Sequence, residues 1–158
     1  MVAILCLGIW AISLQSCNKD DDDSIIEFIA EDSTFDNYTD WTLEKTETGT
    51  DPTSLIAGGA HAGNNELSVR EVYFKDNQDP VDGVYPVGTV VAKHTTTTDG
   101  TVDVTHAMVK RGNSFNTDSG DWEFFTFTAA GAIDERGMLT GCMGCHASAS
   151  ASDFIFSK

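Results

Sequence analysis

The chain has 158 residues, and its 25 acidic side chains against 9 basic ones give a formal net charge of −16. A nucleic-acid partner needs a basic face, so this balance excludes that class of function. The surplus is compatible with steering towards a basic redox partner, although solubility alone accounts for it.

Residues 2–14 form an almost unbroken apolar run. The run is too short to cross a bilayer as a mature helix and suits the core of a signal peptide. It ends in Leu14-Gln15-Ser16-Cys17, which resembles the bacterial lipobox, in which the cysteine becomes lipidated and N-terminal after cleavage. Asp20-Asp21-Asp22-Asp23 follows; a block of like charge cannot pack and reads as a solvated tether. It also resembles the acidic export signal of surface lipoproteins. The expected division is a signal peptide over 1–16, lipidated Cys17 with its tether over 17–24, and one domain over 25–158. The expected location is the outer membrane, on the surface or the periplasmic side, with the membrane touched only through the lipid anchor.

Within the domain, Ser24 is placed to cap a short helix over 25–30, with Ile25, Ile26 and Ile29 on one face. Phe35, Tyr38 and Trp41 continue an apolar stripe, and 49–63 reads as a loop around a short helical turn. From residue 67 the pattern changes to period two. Strands are expected over 67–74, 88–96, 101–111 and 122–128. Asp99-Gly100 marks a hairpin between the second and third. Val102, Val104, His106, Met108 and Lys110 share one face of the third strand. Trp122, Phe124 and Thr126 share one face of the fourth, and Glu123, Phe125 and Phe127 the other. Aromatic side chains on both faces imply that this strand is covered twice. A short last strand is expected over 153–156. The fold class is mainly β: a twisted antiparallel sheet, with short N-terminal helices and a short helix at the C-terminal motif described next.

Gly141-Cys142-Met143-Gly144-Cys145-His146 contains C-x-x-C-H, the spacing for covalent attachment of a c-type haem. Each thiol can add across a haem vinyl group, and His146 follows directly as the proximal iron ligand. A structural zinc site would want a second ligand pair, which the chain lacks, although His61, His94 and His106 could contribute. A thioredoxin-type pair would sit in a βαβ unit, not after antiparallel strands. The four cysteines are all accounted for: Cys6 leaves with the signal, Cys17 takes lipid, and Cys142 and Cys145 take one haem c per chain. Only twelve residues follow His146, and they hold no Met or His. A sixth ligand must come from upstream, from His61, His94, His106, Met108 or Met138, or be absent. An absent ligand leaves a five-coordinate iron with an open face.

Tyr85-Pro86-Val87-Gly88-Thr89-Val90-Val91-Ala92-Lys93, Met108-Val109-Lys110-Arg111, Gly120-Asp121-Trp122-Glu123-Phe124-Phe125, the C-x-x-C-H motif and Asp153-Phe154-Ile155-Phe156 together resemble the cytochrome P-460 family, which includes cytochrome c′-β. The likeness covers roughly residues 67–156. It implies a mainly antiparallel β domain, often a homodimer, with a C-terminal c-haem and a five-coordinate iron. It implies binding of nitric oxide or another small diatomic or nitrogenous ligand. Electron transfer with an upstream Met or His as sixth ligand is the alternative. Some members oxidise hydroxylamine and carry a lysine cross-linked to the haem. Arg70 stands in the strand where that lysine is sought, with Lys75 just after and Lys93 in another segment, so enzymatic oxidation is not favoured. Arg70, Lys75, Lys93, His94, His106 and Glu123 are the distal candidates, and Phe124, or Phe125 and Phe127 from the opposite face, are candidate apolar caps.

Overall fold

The structure, a computed structural model, describes residues 26–50 and 65–156. The expectations for the signal, for Cys17, Ser24, Ile25 and His61, and for most of the loop over 49–63 lie outside these residues. Among the described residues six strands form one antiparallel sheet: β1 (Thr42–Thr48), β2 (Ser68–Phe74), β3 (Val90–Thr97), β4 (Asp103–Lys110), β5 (Trp122–Phe127) and β6 (Ile133–Gly137). They pair in chain order, each with its neighbour in sequence. The helix α1 (Thr140–His146) carries the C-x-x-C-H motif and is followed by a 3-10 run over Ala147–Ser152. The mainly β class with short helices is therefore the observed one.

The central strands form because β-branched and aromatic side chains alternate there, and their register fixes two faces. Phe74, Val91, Met108 and Phe124 stand opposite one another in β2 to β5. Two residues along, Val72, Lys93, His106 and Thr126 form the next row of the same face. On this face Phe74, Tyr85, Val91, Met108, Trp122, Phe124 and Ile155 make one core, with Leu139, Cys142, Met143 and Phe154 packed against it. On the other, Ala30, Phe35, Val90, Ala107, Val109 and Phe125 make a second, flanked by Phe28, Trp41, Phe127 and Ile133. The expected double cover of β5 is thus real. Asp99-Gly100 turns β3 into β4, with Gly100 in the left-handed region at φ +71° and its N–H donating to the Thr97 carbonyl at 2.9 Å.

Three local expectations are corrected. Residues 26–30 are not helical: Glu27 bridges to Gly112, and the Phe28 N–H donates to the Arg111 carbonyl at 2.9 Å. Ile26 and Ile29 are exposed while Ala30 is buried, so the isoleucine spacing that mimics a helix is not the face that packs. The short N-terminal helices are instead 3-10 turns at Asp32–Phe35 and Tyr38–Asp40. Residues 153–156 are not a strand, because Asp153 and Phe154 take φ of +48° and +66°, and a ladder cannot run through left-handed backbone. The sheet's edge strands β1 and β6 were not expected. Their sequences, TLEKTET and IDERG, are polar, as edge strands that must not pair with another chain usually are.

Candidate haem-binding site

Gly137, at φ +124°, ends β6, and the chain turns directly into α1. The N–H groups of Cys142 and Met143 both donate to the Leu139 carbonyl, at 2.9 and 3.0 Å. In a helix, residues three and four apart lie on one face. Cys142 is three residues before Cys145 and four before His146, so all three share a side of α1. Neither cysteine is in a disulfide; Cys142 is half-buried and Cys145 buried. Burial pushes the Cys142 thiol up, which keeps it protonated.

The His146 ring sits between aromatic walls, with Phe124 tilted at 5.3 Å and Phe156 edge-on at 5.2 Å between ring centroids. Its Nδ1 lies 2.7 Å from the Phe154 carbonyl. A carbonyl only accepts, so Nδ1 carries the proton and Nε2 carries the lone pair. Burial holds the ring's pKa below the ordinary imidazole value; the bond to the Phe154 carbonyl opposes this, and the charge of Lys93 adds to it. A neutral ring with its other nitrogen tied to a carbonyl is the form in which histidine ligates a metal.

The register decides which distal candidates reach this side of the sheet. Lys93 and His106 are cross-strand partners on the face against which α1 packs. Burial lowers the pKa of His106, and Lys93 lowers it further. Lys93 therefore lies within electrostatic reach of both His106 and His146. Arg70 points the same way one row further along; it is buried and donates to the Gly49 carbonyl.

The other candidates face away. His94, one residue after Lys93, is on the opposite face, bonded to Asp103 at 2.8 Å and edge-on to Tyr38. Lys75 lies past the end of β2, donating to the Thr34 carbonyl at 2.8 Å beside Trp41. Glu123 is buried on the opposite face, gripped by Arg136 at 2.8 and 2.9 Å. Phe125 and Phe127 pack on Phe35 there, each at 5.0 Å. In every case one step along a strand, or one step past its end, moves the side chain off the site's face. Phe124 alone of the candidate caps is on the site side, and it rests on the His146 ring. Met108 is locked in the core, and Met138 is exposed.

Sequence reasoning missed the Phe154 carbonyl and the Phe156 wall. A backbone acceptor has no residue signature, and the expected strand over 153–156 would have pointed that carbonyl into a ladder. An open cleft of about 440 Å³ lies on the opposite face, between Tyr38, Ala92, Asp103, Thr105 and Phe127. No residue of the motif lines it, so it is not where the motif's chemistry happens. Among the described residues no group of three His, Cys, Asp or Glu could hold a metal ion by itself.

A short helix with two thiols outside any disulfide and a carbonyl-tethered neutral imidazole, laid on an antiparallel sheet, defines a mainly β protein of the c-type haem class. The residues present fit that group: two thiols to bond it, and one nitrogen lone pair to ligate its iron. The family model described as cytochrome P460 matches residues 35–157, and the chain belongs to that family. Membership makes it a c-type cytochrome with covalently bound haem c. No curated protein and no solved structure matches the chain.

Proposed function

We propose that the protein binds nitric oxide or a related small nitrogen species at a haem iron held by His146, with the second axial face of the iron open. The observation that carries this reading is the fate of the alternative ligands among the described residues. Met108 is packed in the core, His94 is tied to Asp103 on the other face, and Met138 is exposed beside the proximal segment. What shares the site's face is a polar pair, Lys93 and His106.

When bound, the haem supplies an iron able to take a small ligand. The chain does the rest. Cys142 and Cys145 would anchor the group, and Nε2 of His146 would ligate it. The Phe154 carbonyl orients that ring, and Phe124 and Phe156 keep water from its flanks. His106 is neutral at physiological pH and can pass a proton at a ring nitrogen. Lys93 adds positive charge, which favours a ligand carrying partial negative charge.

An absorption spectrum of the purified holoprotein, oxidised, reduced and with nitric oxide added, tests the reading. A high-spin spectrum that changes with nitric oxide is expected; a low-spin one that ignores it would overturn the reading. The second reading is electron transfer with His106 as sixth ligand, which the position of His106 on the site's face favours. It predicts a low-spin wild type that becomes high-spin in His106→Ala. Hydroxylamine oxidation would need a haem–lysine cross-link, and Lys93 is the lysine that β3 puts on this face. A strongly red-shifted reduced Soret band that is lost in Lys93→Ala would support it.

We further propose that the chain is an exported lipoprotein anchored through Cys17 at the outer membrane. No helix among the described residues is long and apolar enough to cross a membrane. Cys17→Ser should release the protein from the membrane fraction, and continued membrane association would sink this placement.

A further inference from the structure

The segment after α1 sets the direction of the carbonyl that holds His146, yet no regular structure supports it. After the 3-10 run, Asp153 and Phe154 are successive left-handed residues at φ +48° and +66°. Such residues are costly and persist only where their surroundings force them. Here the surroundings are four groups, two at strand ends and two in the loops beside them. Lys110, the last residue of β4, donates its ammonium to both Asp153 carboxylate oxygens, at 2.8 and 2.7 Å. The Tyr85 N–H donates to the same carboxylate at 2.8 Å. Trp122, the first residue of β5, donates its indole N–H to the Asp153 carbonyl at 2.8 Å. Gly120 comes so close that a Cβ there would stand 2.8 Å from Asp153 Oδ1 and 2.9 Å from the Phe154 ring. Both charged side chains are about 7% exposed, so water does little to screen them.

We infer that Asp153 and Lys110 are positioning residues for the iron ligand: their buried ion pair fixes the Phe154 carbonyl against His146 Nδ1, and thereby sets how strongly Nε2 binds iron. The inference rests on the open-face reading with His146 as proximal ligand. The route is short and continuous, running from the end of β4 through the Asp153 carboxylate and one peptide unit to the carbonyl. A histidine that donates firmly to a carbonyl is the more basic ligand. Removing the charge of Asp153 leaves Lys110 buried without a counter-charge and frees the left-handed pair to relax. The carbonyl then withdraws, Nε2 loses basicity, and the oxidised iron loses more stabilisation than the reduced.

The test compares holoproteins of the wild type, Asp153→Asn, Lys110→Met, Lys110→Arg and Val109→Ala. The readouts are the ferrous iron–histidine stretching band by resonance Raman and the reduction potential. Asp153→Asn and Lys110→Met should move the band to lower frequency and raise the potential. Lys110→Arg, which keeps the charge, should restore most of both. Val109→Ala loosens the opposite core and should change neither. If Asp153→Asn does not assemble, the two Lys110 variants decide by the same readouts. Wild-type values in the charge-removing variants, or an equal shift in Val109→Ala, would overturn the inference. A wild type without the band would instead remove the open-face reading, and the potentials alone would then judge the ion pair.

Discussion

The two faces of the sheet carry cores of similar make-up but are closed in different ways. On the side away from the motif, the chain's N-terminal arm is held down by a charged clamp. Glu123 is buried between Arg136 and Arg111, Arg111 also pairs with Glu27 at 2.7 Å, and Arg136 donates to the Ala30 carbonyl at 2.7 Å. On the motif side, α1 and the chain's C-terminal segment lie over Phe124, and the polar row of Lys93 and His106 extends beside them. Both faces bury a charge pair, Glu123 with its arginines on the first and Lys110 with Asp153 on the second. The second keeps an imidazole neutral and a pair of polar groups beside it. The lesson is that one sheet can be packed firmly on both faces and still keep its chemistry to one, because adjacent residues of a strand belong to different faces.

That division can be tested with neighbouring residues of β5. Phe124→Ala should cost about 3–5 kcal/mol, the usual range for emptying a packed aromatic site. It should also alter the haem spectrum, because Phe124 touches the His146 ring. Glu123→Ala should cost about 3–5 kcal/mol by leaving arginines without their buried partner, while the spectrum stays as it was. Denaturant titration and absorption spectroscopy of the two holoproteins check both, and a spectral change in Glu123→Ala would blur the division.

A smaller effect is expected from His106. Its folded-state pKa lies below the ordinary value of 6.5, first through burial and then through Lys93. The unfolded chain therefore takes up a proton at a higher pH than the folded one. The contribution of His106 is fully present above about pH 6.5 and is lost as pH falls below it, down to the folded-state value. His106→Gln cannot titrate, so its stability should vary less with pH over that window; denaturation midpoints taken at several pH values measure this. The smallest effect belongs to His94→Ala. Its partner Asp103 is 79% exposed, so the loss should be within about 1 kcal/mol, with no spectral change. A clear change in spin state in this variant would bring His94 back to the iron.

The attachment motif was legible because three chemically distinctive residues fall within five positions. The β3–β4 hairpin was legible from Asp99-Gly100, and the double cover of β5 from aromatics on alternate sides. The sorting of His94 from His106 was only half legible. Alternation says that Lys93 and His94 point oppositely, but only the packing of α1 says which direction matters. The polar strands β1 and β6 gave no apolar period to read. Residues 26–30 misled because Ile26 and Ile29 stand exposed, while the smaller Ala30 takes the buried place. The grip on His146 was hidden more deeply still, in a carbonyl placed by two left-handed residues of ordinary type.

Strand order has a consequence for how the molecule is made. Every pairing in the sheet joins strands that are consecutive along the chain. Contacts of this kind close short loops and favour rapid folding. All six strands among the described residues also come before Cys142 in the sequence, so the sheet face that receives α1 precedes the attachment segment, and only Asp153, Phe154 and Ile155 join that side afterwards. Synthesis can thus lay down the sheet first and add the cofactor-bearing turn late, with the C-terminal segment closing over it.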